Sequence, residues 1–307
     1  MANKVVVLCA SGMLCSMVAD VLSRETEIEV IATVRSKEMI DFGKKHLPKA
    51  DWRTFSVDLP TLKNQLDALG RIDWIVNAIG LTKPYTHDDN PAEVERATIG
   101  NTLFPIVVSQ YAENIGAKVL QIGTDCVYSG VKGHYNESDK QDPNDAYGKT
   151  KSLGETCYPS MHILRTSIIG PEPKAYVFLI EWFLKQAQNS TVNGFTNHQW
   201  NGVTTLHFAK LCRGIIKYRP ELPRVQHIIP TDEISKYELL KAFAESYRRQ
   251  DITINPTEAG VVVDRTLSTN NPDFNRTLWK LAGYENQPPT IPQMVKEVAN
   301  FDYAFKR

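Results

Sequence analysis

A chain of 307 residues can bury a full core and hold two lobes. Its 35 Lys+Arg balance 35 Asp+Glu, which argues against nucleic acid or an anionic membrane as a general partner. Five scattered cysteines without zinc spacing point to reduced thiols in the cytoplasm and to no metal site; no signal-peptide cleavage site follows M-A-N-K-V-V-V-L, and no apolar run approaches the ~20 residues of a membrane helix.

In chain order, short apolar β-branched runs alternate with amphipathic stretches. Strands are predicted at Lys4–Leu8, Glu29–Val34, Asp51–Val57, Trp74–Ile79, Lys118–Ile122 and His162–Ile169. Helices are predicted between them at Met13–Leu22, Leu59–Leu69, Val94–Asn114 and Ala146–Cys157. Continuous buried runs separated by helices read as parallel strands of a doubly wound α/β sheet. Ligands of such sheets sit at the C-terminal strand ends. From Pro171 the alternation stops and aromatic residues crowd (Tyr176, Phe178, Trp182, Phe183), which suits a smaller lobe. Asn193–Thr205 is too polar for a core strand and too irregular for a helix, so it reads as a loop. Thr205–Tyr218 then reads as a helix, and Val225–Pro230 as a strand returning to the main sheet. Tyr237–Arg249 is amphipathic with a solvated Lys/Arg/Glu face, and Phe274–Leu281 and Ile291–Phe301 close the chain. The expected division is a Rossmann-type unit, 1–170 with 203–231 returning to it, and a substrate lobe of 171–202 and 232–307.

One stretch carries chemistry in its spacing. It reads I-G-T-D-C-V-Y-S-G from Ile122 and D-A-Y-G-K-T-K-S-L-G-E from Asp145. On a helix Tyr147 and Lys151 lie four apart and share a face. A free phenol titrates at about pH 10, and a neighbouring ammonium is expected to lower that value towards the working range. Thr124, at a strand end, is placed to hydrogen-bond a carbonyl or hydroxyl that Tyr147 protonates. The other reading is a helix whose Tyr packs and whose Lys is solvated. At the second strand end stands Arg35, followed by Ser36 and Lys37, where NAD-binding proteins commonly carry an acidic residue for the ribose. A guanidinium suits a 2′-phosphate, so NADP(H) is expected over NAD(H). A solvated basic turn is the alternative.

The motifs T-D-x-V-Y-x-G and Y-G-K-x-K-x-x-G-E resemble those of extended short-chain dehydrogenase/reductases, closest to the dTDP-4-dehydrorhamnose reductase branch. The resemblance runs from about Val5 to the C-terminal helix and is strongest over Asn77–Ile169 and Asn193–Ala209. It implies NAD(P)H-dependent reduction of the 4-keto group of a nucleotide-linked deoxysugar. Thr124, Tyr147 and Lys151 would be catalytic, with Asn101 relaying protons to the lysine or serving only structure. The cofactor would lie on Ser11, Gly12, Met13 and Leu14, although the family's G-x-x-G-x-x-G reads here Cys9…Gly12…Cys15. A redox or metal role for those cysteines is the alternative. Asp58 and Leu59 would lie by the adenine, Asp58 being equally good as a helix cap. Asn77, Ala78, Ile79 and Gly80 would line phosphate and ribose. Tyr147 and Lys151 would reach the nicotinamide ribose, with Thr166 beside the ring. The resemblance offers the substrate Lys83, Asp125 and Val127, then Asn197, His198, Trp200 and Asn201 as hydrogen bonds and a stacking face. Arg265 would pair with the diphosphate, or only with Asp264. Cys126 stands where nucleotide-sugar 4,6-dehydratases carry glutamate, which argues against elimination chemistry. An epimerase-reductase and a non-catalytic NADP-binding regulatory subunit remain as alternatives, and a homodimer is allowed.

Overall fold

The computed structural model describes residues 2–156 and 158–306, so the predicted end of the Ala146–Cys157 helix falls outside the described residues. The first half runs β1 (Asn3–Leu8), α1 (Met13–Ser23), β2 (Ile28–Val34), α2 (Lys37–His46), β3 (Asp51–Thr54), α3 (Leu62–Asp67) and β4 (Trp74–Asn77). It continues through α4 (Pro91–Ala97), a π-helical segment Thr98–Leu103, α5 (Phe104–Ile115), β5 (Lys118–Ile122), α6 (Ala146–Leu153) and β6 (Met161–Arg165). The second half holds β7 (Ile168–Ile169), α7 (Leu179–Leu184), β8 (Thr191–Phe195), β9 (Gln199–Trp200), β10 (Val203–Thr204), α8 (Thr205–Tyr218) and β11 (Val225–His227). Last come β12 (Ile234–Ser235), α9 (Lys236–Ser246), β13 (Thr253–Thr257), α10 (Pro272–Leu281) and α11 (Ile291–Asn300).

Seven strands form one parallel sheet in the order β11-β6-β5-β4-β1-β2-β3. The fold is thus the doubly wound Rossmann-type sheet that the alternation predicts. Side chains of a strand point alternately to its two faces. In β1, Val5 and Val7 enter a core with α1 and α8, whereas Val6 and Leu8 enter a second core with Leu62, Leu66, Phe104 and Val108. All four are fully buried, each contributing about 1.5–3 kcal/mol through lost apolar exposure. Because both faces are covered, the strands read as unbroken apolar runs. The chain order reverses between β1 and β4, which opens a crevice at their C-terminal ends.

Elsewhere the prediction needs correcting. The Asn193–Thr205 loop contains strand ends: β8 pairs with β13, β9 with β12, and β10 with β7. β8 alternates exposed and buried residues, which explains its polarity, and the two-residue pairings are too short to show a period. The single helix expected at Val94–Asn114 is α4 and α5 separated by the π segment.

Candidate active site at the strand ends

Helix α6 sits flush against the end of β5. Asp145 caps it by accepting from the Gly148 N–H at 2.8 Å. A Cβ at Gly148 would lie 2.3 Å from the Cys126 carbonyl oxygen, and one at Gly154 would lie 1.9 Å from that of Asn101. Those two glycines let the helix approach both neighbours, and the first brings Tyr147 against Thr124. Thr124 caps the short turn Asp125–Val127, accepting from the Cys126 N–H at 3.2 Å and donating to Asp125 Oδ1 at 3.2 Å. Its hydroxyl also hydrogen-bonds that of Tyr147.

Lys151 shares the helix face of Tyr147, but its ammonium is buried and donates to the Ile122 carbonyl at 3.0 Å. The Tyr147 pKa as a whole is raised rather than lowered in this state. Burial pushes the phenol up, Cys126, Asp125 and Asp145 add to the rise, and the Thr124 hydrogen bond opposes it. The Cys126 thiol is itself pushed up to about 12, mainly by burial, so it is neutral at physiological pH. Tyr147 is therefore a protonated phenol held beside a threonine hydroxyl. That is the state a proton donor needs.

Asn101 lies in the π segment and is buried. It accepts from the Leu81 N–H at 2.8 Å and donates to the Leu81 carbonyl at 3.0 Å and to Thr150 Oγ1 at 3.1 Å. Its amide clamps the loop after β4 to α6, which is the structural role. A buried chain links the strand ends instead. Asn77 Nδ2 donates to Gln121 Oε1 at 2.7 Å, and Gln121 Nε2 donates at 3.1 Å to the Ile122 carbonyl that holds Lys151. Gln121 is missing from the sequence-based site because strand position alone marks it as core.

The turn before α1 keeps its shape without the two flanking glycines. Cys9 adopts φ 64°, the left-handed geometry that glycine serves at least cost, and its N–H donates to Thr33 Oγ1 at 3.2 Å. An L-residue there costs roughly 1–2 kcal/mol. Gly12 caps α1 without a side chain, and Met13 and Leu14 open the helix. Ser11 is buried, and Lys174 Nζ donates to its Oγ at 2.9 Å. Burial lowers the Lys174 pKa, and Arg35 is its cationic neighbour, so two cations meet at this turn. Lys174 carries no motif that marks it in the sequence. Burial also raises the thiols of Cys9 and Cys15, which disfavours a thiolate role. Among the described residues no group of three His, Cys, Asp or Glu is arranged to hold a metal ion.

The remaining cofactor candidates divide. Ala78, Ile79 and Gly80 follow β4, and the Ile79 N–H donates to Asn77 Oδ1 at 3.0 Å. Asp58 is exposed and does not cap α3, whose cap is Thr61; it holds the Thr61 hydroxyl at 2.5 Å, with half-buried Leu59 beside it. Thr166 is buried at the end of β6.

At the substrate end, Lys83 pairs with Asp145 at 2.7 Å, and Arg265 Nε donates to the Tyr128 carbonyl at 2.8 Å. Both cations act on Cys126, beside Asp125 and buried Val127. The Asn193–Thr205 residues are more occupied than expected. Asn197 exchanges two 2.9 Å bonds with the Ala259 backbone, and Asn201 bridges the Leu267 N–H and carbonyl at 2.9 and 2.7 Å. A His198 ring nitrogen lies 2.9 Å from the Val261 carbonyl. Trp200 is buried and donates to Ser167 Oγ at 2.9 Å, so its ring offers no open stacking face.

Behind the site, Arg165 is a structural ion-pair partner. It meets Glu155 at 2.5 Å and donates to Tyr128 Oη at 2.7 Å and His227 Nε2 at 2.6 Å. His227 accepts there, so its Nδ1–H faces the Ser268 carbonyl at 2.8 Å and the ring is neutral. Burial, aided by the guanidinium, pushes its pKa down to about 4 from 6.5. The unfolded chain therefore takes up a proton between those values while the folded protein does not. Stability should hold above pH 6.5 and fall by about 3 kcal/mol as pH drops to 4. Glu137, whose pKa is lowered, should add to the loss below 4.5. Urea denaturation of wild type and His227→Gln between pH 7 and 4 checks this, the variant showing a shallower acid decline.

The family described as RmlD substrate binding domain matches residues 3–298. The spore coat polysaccharide biosynthesis protein SpsK of Bacillus subtilis (strain 168) is 29% identical over 180 residues, 56% of this chain and 60% of that protein. Methionine adenosyltransferase 2 subunit beta of Bos taurus is 24% identical over 188 residues, 58% of this chain and 54% of that protein. The chain thus spans little more than half the length of these curated relatives. A crystal structure of dTDP-4-dehydrorhamnose reductase from Yersinia enterocolitica matches with a TM-score of 0.73 at 19% identity, covering 99% of this chain and 100% of that one. That likeness shows the fold.

Proposed function

Because this chain belongs to the RmlD substrate binding domain family, we propose that it reduces the 4-keto group of a nucleotide-linked deoxysugar, using a nicotinamide cofactor. The setting would be nucleotide-sugar supply for a polysaccharide, in the cytoplasm. What carries the reading is the protonated Tyr147 hydrogen-bonded to Thr124 at the end of β5, with Lys151 on the same helix face. Residues 171–202 and 232–307 take the substrate-binding role.

The turn before α1 fits a dinucleotide. The first-turn N–H groups behind Gly12, with Ser11, Lys174 and Arg35 around them, suit a pyrophosphate and a further phosphate. When bound, the nicotinamide supplies the hydride. Thr124 orients the carbonyl, and Tyr147 gives its proton to the carbonyl oxygen. Lys151 then steadies the phenolate until it is reprotonated. Neutral Cys126 keeps its proton and so provides no base for elimination. The test is incubation of pure protein with NADPH and a panel of nucleotide 4-ketosugars, following the loss of NADPH absorbance. Cofactor bound but never oxidised would overturn the reading.

That outcome would favour a second one. The likeness to a methionine adenosyltransferase subunit supports a binding protein that acts through a partner.

Cofactor choice rests on Arg35, exposed at the end of β2 with its charge directed at the Cys9 turn. Wild type should bind NADPH more tightly than NADH. Arg35→Ala should weaken NADPH by about 10–100-fold, the worth of a charge-assisted contact, and leave NADH nearly unchanged. Calorimetric titration of both cofactors measures it.

A further inference from the structure

The ribbon of β9 and β12 carries a cation into the cleft that the reduction itself leaves without a role. Ile234 pairs with Trp200 and Ser235 with Gln199. Ser235 and Glu238 form a capping box that starts α9, and the Lys236 N–H donates to the His198 carbonyl at 2.9 Å. Lys236 is thereby fixed as the first residue of α9. A cation there opposes the positive end of the helix dipole, by about 0.3–1 kcal/mol, so helix formation does not account for it.

Its surroundings point to a ligand. The ammonium lies 5.4 Å from the centroid of the Trp200 ring, and that ring is pinned through its N–H to Ser167. The ionisable groups acting on it are Asp125 and Cys126, the residues that follow Thr124. Lys83 has Asp145 as a partner and Arg265 has the Tyr128 carbonyl. Lys236 has no side-chain ion pair or hydrogen bond among the described residues, and burial draws its pKa below the ordinary lysine value. A half-buried ammonium resting on an aromatic face, beside a neutral thiol and with the Asp125 carboxylate near but not paired to it, is an incomplete anion site.

We propose that Lys236 is a substrate-binding residue whose ammonium takes the sugar-linked phosphate of the nucleotide sugar. Trp200 supports the lysine stem, and Thr124 and Tyr147 hold the carbonyl at the other end of the sugar. The position of that sugar rests on the reductase reading; the anion site itself does not.

Binding of free UDP and dTDP by calorimetry tests it, with NADPH as the internal control. Lys236→Met keeps an unbranched stem over Trp200 and removes the charge. Its dissociation constant for the diphosphate should rise by about 10–100-fold, as should KM for a reduced ketosugar, with NADPH affinity unchanged. Lys236→Arg should retain most of the affinity, and Lys236→Gln replaces the methionine variant should that one fail to fold. A wild type that binds neither diphosphate, or a neutral variant that binds like wild type, overturns the proposal. Lys236-dependent diphosphate binding in a protein that reduces no ketosugar upholds the site and sinks the reductase reading. Ketosugar reduction with diphosphate affinity and KM unchanged in Lys236→Met does the reverse.

Discussion

Tyr147→Phe is expected to lower turnover by about 10²–10⁴-fold, the usual worth of a positioned proton donor. The ring keeps its place against the Cys126 turn, because Gly148 and the Asp145 cap set the helix and neither is touched. Cofactor affinity should survive. Lys151→Ala should lose turnover and some cofactor affinity, since the family resemblance also places its ammonium at the nicotinamide ribose. The two losses should not add, because the residues act as a unit. The raised phenol pKa has a further consequence. Wild-type turnover should stay flat through neutral pH, since the donor is already protonated. Single-turnover measurements with NADPH and the ketosugar identified by the panel give the numbers. A Tyr147→Phe protein that turns over at the wild-type rate would remove Tyr147 from the mechanism.

Arg165→Met should destabilise the fold by about 3–5 kcal/mol, the range for breaking a buried ion pair at one end. Arg165 and Glu155 have side chains only 2% and 8% exposed. Removing the guanidinium leaves the Glu155 carboxylate in a dry site with Gln141 as its side-chain partner, at 2.6 Å. It also strips a donor from Tyr128 and from His227. Exchanging both ends together, Arg165→Met with Glu155→Leu, should recover much of the loss, because no buried charge is then left unpaired. Urea midpoints of the three variants decide it; equal loss in single and double variants would show that the pair contributes nothing as a pair.

The parallel sheet was legible in the sequence because strands buried on both faces leave continuous runs of Val, Ile and Leu. Segments held by one half-buried edge were not. Lys37–His46 is a helix, yet K-E-M-I-D-F-G-K-K-H shows only Met39, Ile40 and Phe42 to the core. The π segment escaped because an apolar pattern does not reveal one extra residue in a turn. At the site, the Tyr147–Lys151 face followed from spacing four. The Tyr147 pKa did not follow, because it depends on burial under Thr124 and Cys126, residues remote in sequence. Asn197 and Asn201 looked like free hydrogen-bonding groups, and only the fold reveals the Ala259 and Leu267 backbones that occupy them. Lys174 and Lys236 went unmarked for the opposite reason. A lysine is solvated by default, and what draws these two inward lies mostly in turns distant in sequence.

The edge strand β11 bears on how the chain emerges from the ribosome. His227 reaches Arg165 across 62 residues, and β6 has no neighbour on that side until Val225–His227 arrives. Until then the nascent chain presents a bare strand, M-H-I-L-R, whose groups are all buried in the finished protein. An apolar unpaired edge is a template for pairing with another chain. Between the synthesis of β6 and that of β11, the first half is a protein waiting for its last strand. Ribosome stalling or truncation inside α8 would yield aggregation-prone fragments, whereas a stop after His227 would close the sheet.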